Sequence, residues 1–374
     1  MAYQNVGTPR FYVDWTSYLL NQGIIQSYDP VNITQDGKGL YTHIGMLNPT
    51  QQRHWYPTSS GITSASGQAN ECGIRFETPN GSGLDIERAN WSGVLGHNLG
   101  DYNGYRIGTG FSFLYSNHIY SAKLNLTNPI INCEVSESLM QPTLSGFSLC
   151  EANGSTANTT PDMIKGIYAT HRGVENGNDI LKFGSFCFGE YYDMPHSPDL
   201  NLKMKIEMDG VKTIQSKGGA TLSNAYYTKP ADWGDMGCWQ LGEASNLRNG
   251  RRVWDLSFSY LSDTDVFPIN ASTGYENITS DGGYYVDNNN PTTGVVDIDT
   301  NQGLFDTNVL SGSDFFSVVW NKTMGGHLPF IFQPDNNNNN PDQFAIARFD
   351  MNSLQYDQVA NNVYNVKLKI RESW

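Results

Sequence analysis

Charge is what this sequence has least of. Only 16% of its 374 residues are Asp, Glu, Lys or Arg, against roughly a quarter in ordinary soluble domains. Positive charge is the scarcer sign, with 23 Lys and Arg against 37 Asp and Glu, a net of −14. A phosphate backbone would be repelled, so nucleic acid is excluded as a partner. No run approaches 18 apolar residues, which leaves no transmembrane helix and no membrane insertion. The N-terminal stretch MAYQNVGTPRFYVDW has no charged-then-apolar leader pattern. The five cysteines at 72, 133, 150, 187 and 238 form no CxxC pair. Free buried thiols in a reducing cytoplasm are the reading that fits. Nine Asn-x-Ser/Thr triplets, Asn32, Asn125, Asn270 and Asn321 among them, are what an Asn-rich chain produces by chance.

The usual catalytic spacings are missing too. There is no HExxH, no GxSxG, no GxxxxGK[ST], and no GxGxxG between a strand and a helix. Seven scattered histidines give no zinc site. Asp193 and His196, in YYDMPHSPD, read better as a turn fixed by Asp and Pro than as a dyad. Carboxylate pairs hide from sequence, but the expectation is a protein that is not an enzyme and needs no cofactor.

What is abundant is turn and strand chemistry. Aromatics reach 12%, with 21 Tyr and 17 Phe, beside 38 Gly and many Asn, Ser and Thr. Strand-like runs occur at 10–18, 73–77, 92–96, 105–115, 121–126, 181–190, 201–208, 252–261, 315–320, 328–333, 343–350 and 363–371. In NLKMKIEM the apolar residues are Leu202, Met204, Ile206 and Met208; in VYNVKLKIR they are Val366, Leu368 and Ile370. Period two predicts half-buried strands with one wet face. The one helical candidate is Trp15 to Gln22. The run DNNNNNPD (335–342) predicts a surface loop between strands. The fold class is therefore all-β, built as two β-sandwich domains with long polar loops. MPHSPDL (194–200) marks the exit from the first, giving domains 1–205 and 206–374.

Three constellations point to sites. His97, Asn98 and Leu99 form a tight structural turn in LGHNLG, with His97 buried and bonding backbone. Trp55 and Tyr56 (HWYP), Tyr102, Tyr105, and Tyr284 with Tyr285 (GGYY) are candidate carbohydrate-stacking aromatics; packing against another subunit uses the same residue types and is favoured. Asp297, Asp299 and Asn301 alternate oxygen ligands as a calcium loop would, but without the glycine and closing Glu of an EF-hand, so a solvated loop is favoured and no metal is assigned.

LGHNLG (95–100) with LKFGSFCFGEYYDMP (181–195) resembles the discoidin-like jelly rolls of tailed-phage structural proteins. GRRVWDLSFSYLSDTDVF (250–267), followed by VVWNKTMGGHLPFIFQPDNNNNNPDQFAIARFDMNSLQYDQVANNVYNVKLKIRESW (318–374), is similar to the C-terminal part of minor tail or tail-tip proteins. The resemblance implies a jelly roll over 1–205 and a tail-type β-sandwich over 206–374. It implies a virion component of tail, tail-tip or baseplate, assembled in the host cytoplasm as a symmetric homo-oligomer with other tail proteins. It brings no catalytic residues. A carbohydrate-binding adhesin or fibre module for a host-surface glycan, a capsid decoration protein, and a glycan depolymerase are the rival classes. Pro329, flanked by Gly325, Gly326 and Phe330, is expected in a bent edge hairpin that blocks strand pairing.

Overall fold

The computed structural model describes residues 7–22, 27–31, 33–35, 55–57, 70–77, 88–97, 107–115, 118–123, 125–136, 139–144, 146–153, 167–171, 185–208, 211–225, 232–233, 236–237, 250–266 and 312–373. The chain is all-β: large antiparallel sheets with a few short helical turns. The main sheet has eleven strands. In chain order they are β1 (Arg10–Asp14), β2 (Trp91–His97), β3 (Asn125–Ile131), β4 (Gly146–Asn153), β5 (Ser185–Asp193), β6 (Lys203–Glu207), β7 (Arg251–Ser262), β8 (Phe330–Gln333), β9 (Ala345–Phe349), β10 (Tyr356–Ala360) and β11 (Val363–Glu372). Their spatial order is β6-β7-β11-β9-β8-β1-β5-β2-β4-β3, with β10 also pairing β11.

A seven-stranded sheet runs Cys133–Ser136, Leu139–Pro142, Ile107–Tyr115, Ile167–His171, Asn70–Glu77, Ser27–Val31, with His118–Lys123 paired to Ile107–Tyr115.

Strand β1 is the seam of the main sheet. It pairs with β5 on one side (Phe11 with Tyr192) and β8 on the other (Phe11 with Phe332). In this sheet β2 to β5 thus lie to one side of it and β6 to β11 to the other. Its side chains alternate between two cores. Phe11 and Val13 join Phe330, Phe332, Trp254, Val366, Leu368 and Ile370 on one face. Tyr12 joins Trp91, Phe147, Leu149, Ile331 and Ile346 on the other. A strand covered on both faces needs apolar residues at every position, and RFYVD comes close. The boundary expected at 205/206 falls inside β6.

Several expectations need correcting. FFSVVW (315–320) is not a strand. Phe316–Trp320 is a π-helical turn in which Asn321 N–H donates to Phe316 O at 2.8 Å. Asp314 starts it by accepting from Ser317 N–H at 2.9 Å and from Ser317 Oγ at 2.8 Å. Local side-chain acceptance of this kind outweighs the strand preference of β-branched and aromatic residues. The run at 10–18 is a strand only to Asp14. There the same Asp-x-x-Ser chemistry recurs: Asp14 accepts from Ser17 N–H at 3.0 Å and starts the short helix Trp15–Asn21. Pro329 does not guard an edge, because the β8 it precedes lies between β1 and β9. The reversal before it is real and tight: Met324, Gly325 and Gly326 all have positive φ, and a Cβ on Gly326 would come within 2.9 Å of Phe349 O.

The polyasparagine run is an ordered loop between β8 and β9. Buried Gln333 donates from Nε2 to Asn338 O and Asn339 Oδ1, both at 3.0 Å, while its Oε1 accepts from Tyr12 Oη at 2.8 Å.

Candidate assembly surface

Of the predicted site residues, His97 is the one whose side chain is described. It closes β2 and is 1% exposed. Its Nε2 lies 3.0 Å from Ser148 Oγ on β4, and that hydroxyl donates onward to Asn132 O at 3.0 Å. The hydroxyl hydrogen is committed to the carbonyl, so Nε2 carries the proton and donates. Burial pushes the imidazole pKa down to about 3. His97 is therefore a neutral side chain locking strand ends, and it has no access to a ligand.

Asn98, Leu99, Tyr284, Tyr285, Asp297, Asp299 and Asn301 lie outside the described residues, as do Tyr102 and Tyr105. Trp55 and Tyr56 sit in the short strand Trp55–Pro57, opposite Gln35 and Thr34. Asp193 and His196 do not pair. Asp193 receives Arg10 bidentately, at 2.6 and 2.7 Å, while His196 Nδ1 lies 2.8 Å from Ser197 O. Cys133, Cys150 and Cys187 are free and buried. Burial raises the Cys133 thiol to about 11 and the Cys150 thiol well above its ordinary value, so neither is a thiolate at neutral pH.

The most charged buried group was not visible in the sequence. Glu190 on β5 receives Arg88 Nη2 at 2.9 Å and Lys322 Nζ at 3.4 Å. Arg88 also donates to Gly312 O at 2.8 Å, and Lys322 Nζ lies 5.5 Å from the Trp15 ring centroid. Burial lowers the Lys322 pKa, opposed by Glu190. The Lys322 side chain has no exposed surface. A lysine sealed in this way cannot reach a substrate. The group instead ties the helical turns at 15–21 and 316–320 to the main sheet.

The surface feature that stands out is on the outermost strand, β6. Its residues Met204 and Ile206 are the cross-strand partners of Trp254 and Arg252 on β7, so they share the face that carries the Phe11–Ile370 core. Trp254 is 4% exposed, yet Met204 is 58% and Ile206 59% exposed. The half-buried face expected for 201–208 is thus present as a pattern and open to solvent. Met208 is exposed as well, and in the separate hairpin that follows, 211–215 paired with 221–225, Val211, Ile214 and Leu222 are exposed, with Ile214 opposite Leu222. The opposite face of β6 is charged: Lys205 pairs with Asp255 at 3.4 Å, and Glu207 with Arg371 at 3.5 Å.

Scattered exposed apolar residues are normal, but a contiguous apolar strip rimmed by charge marks an interaction site. An isolated two-stranded hairpin is marginal in water, and in 211–224 every residue but the half-buried Ser216 is exposed. Among the described residues no strand pairs with the outer edge of β6, and no helix is long and apolar enough to cross a membrane.

No family model matches the chain, and neither a curated protein nor a solved structure matches it.

Proposed function

We propose that the chain is a non-enzymatic structural subunit of a virus particle. It belongs in the tail of a tailed phage, at the tail tip or baseplate, where it assembles with copies of itself and with other tail proteins. The single observation that carries the reading is the open apolar face of β6: a chain that seals two aromatic cores leaves one strand of the same sheet face uncovered. Apolar surface that is retained in solution is surface for assembly. The resemblance of 250–374 to minor tail and tail-tip proteins supplies the particle and the tail. That of 95–100 with 181–195 supplies a discoidin-like jelly roll for the first half and a tail-type sandwich for the second.

The subunit folds in the host cytoplasm and resides in the virion. The sealed Lys322, paired with Glu190, and the buried His97, bonded to Ser148, suit a rigid part. Immunogold labelling of purified particles with an antibody to the chain tests the proposal. Gold at the distal tail is expected. Gold on the head would favour a decoration protein, and unlabelled particles would overturn the virion assignment.

A further inference from the structure

Strand β6 carries a self-complementary pattern. Read across residues 203–209, KMKIEMD, its lysines come first and its acids last, with apolar residues between them. An antiparallel copy of the same strand reverses that order, so lysines meet acids.

We propose that the outer edge of β6, unpaired among the described residues, pairs with β6 of a second copy of this chain about a two-fold axis at Ile206. This rests on β6 being an assembly surface and names the partner and register. In this register Ile206 faces the second copy's Ile206, and Met204 faces its Met208. On the opposite face Lys205 faces Glu207, a pair that occurs twice by symmetry. Directly opposed residues share a face, so the apolar strip becomes continuous across the two copies. The charged face becomes an alternating row, Asp255–Lys205–Glu207–Arg371, in which the outer pairs already exist within each copy.

The competing registers are worse on the same residues. Centring on Lys205 sets two lysines against each other, and centring on Met204 sets Lys203 against Lys205 twice. Opposed like charges destabilise a strand pair. A one-residue slip sets apolar side chains against charged ones throughout.

Sedimentation equilibrium of the full chain tests this. Wild type should self-associate. Lys205→Glu alone and Glu207→Lys alone each set like charges opposed twice, and each should weaken association about tenfold. An equimolar mixture of the two variants restores opposite charges at both pairs and should recover wild-type association. That recovery also removes loss of folding as an explanation. Ile206→Cys should cross-link to itself under mild oxidation above the wild-type background, and Met204→Cys should not. A wild type that is monomeric at every concentration overturns the β6 pairing. If its particles still label with gold, the assembly reading stands with a different partner; if they do not, that reading fails too. Self-association indifferent to the charge variants overturns the register and leaves assembly intact.

Discussion

Met204 and Trp254 are direct cross-strand partners on the same face of the main sheet, yet Trp254 is buried and Met204 is open to water. The apolar face of the sheet does not end where its cover ends. That mismatch separates what the protein does for itself from what it offers to others.

Replacing Met204 and Ile206 with Ser should leave the isolated fold intact. Substitutions at exposed positions usually fall within about 0.5 kcal/mol. Chemical denaturation should show an unchanged midpoint, and light scattering should show reduced self-association.

Glu190→Ala should be severe. It strands Arg88 and the sealed Lys322 without their carboxylate, and breaking a buried pair from one side costs about 3 kcal/mol or more. Lys322→Met in the Glu190→Gln background should recover much of that loss, because the fully buried cation is gone and the part-exposed Arg88 keeps Gly312 O. Urea unfolding of the three variants checks the order.

Gly189→Ala should be destabilising by about 1–3 kcal/mol. The new Cβ would lie 2.1 Å from Val13 O and 3.1 Å from Trp15 Cδ1. Backbone on β1, the seam of the sheet, would have to move, and a thermal melt should show the loss.

His97 should contribute to acid lability. The folded chain holds it neutral down to about pH 3, while the unfolded chain protonates it near 6.5. Between those values the unfolded state binds the extra proton, so stability falls as pH drops from 6.5 toward 3 and is fully present above 6.5. The ceiling is a few kcal/mol, from ~1.4 kcal/mol per pH unit. His97→Gln keeps a donor for Ser148 without titrating. Its stability should fall less steeply over that window, measured by urea unfolding at a series of pH values.

The strands were legible where periodicity or an apolar run spoke for itself. Val366, Leu368 and Ile370 are buried as their spacing predicts, and Trp15–Gln22 differs by one residue from the helix observed. What failed depends on partners far away in the chain. Period two told which of Leu202, Met204, Ile206 and Met208 share a face, but what covers a face is decided by other segments. FFSVVW has strand composition, and one preceding aspartate redirects it. The central place of RFYVD needs Arg10 opposite both Asp193 and Gln333, and local pattern does not encode pairings across such separations. The Arg88–Glu190–Lys322 group was missed for the same reason: its members are scattered along the chain and converge only through the sheet.

The most direct test of the central claim is the mass of the full chain in solution, wild type beside Met204→Ser with Ile206→Ser. The wild type should sediment above the 41.6 kDa of one chain, and the variant at that mass with an unchanged melting temperature. A wild type that stays at 41.6 kDa over the whole concentration range, or a variant that associates as strongly as the wild type, would contradict the account.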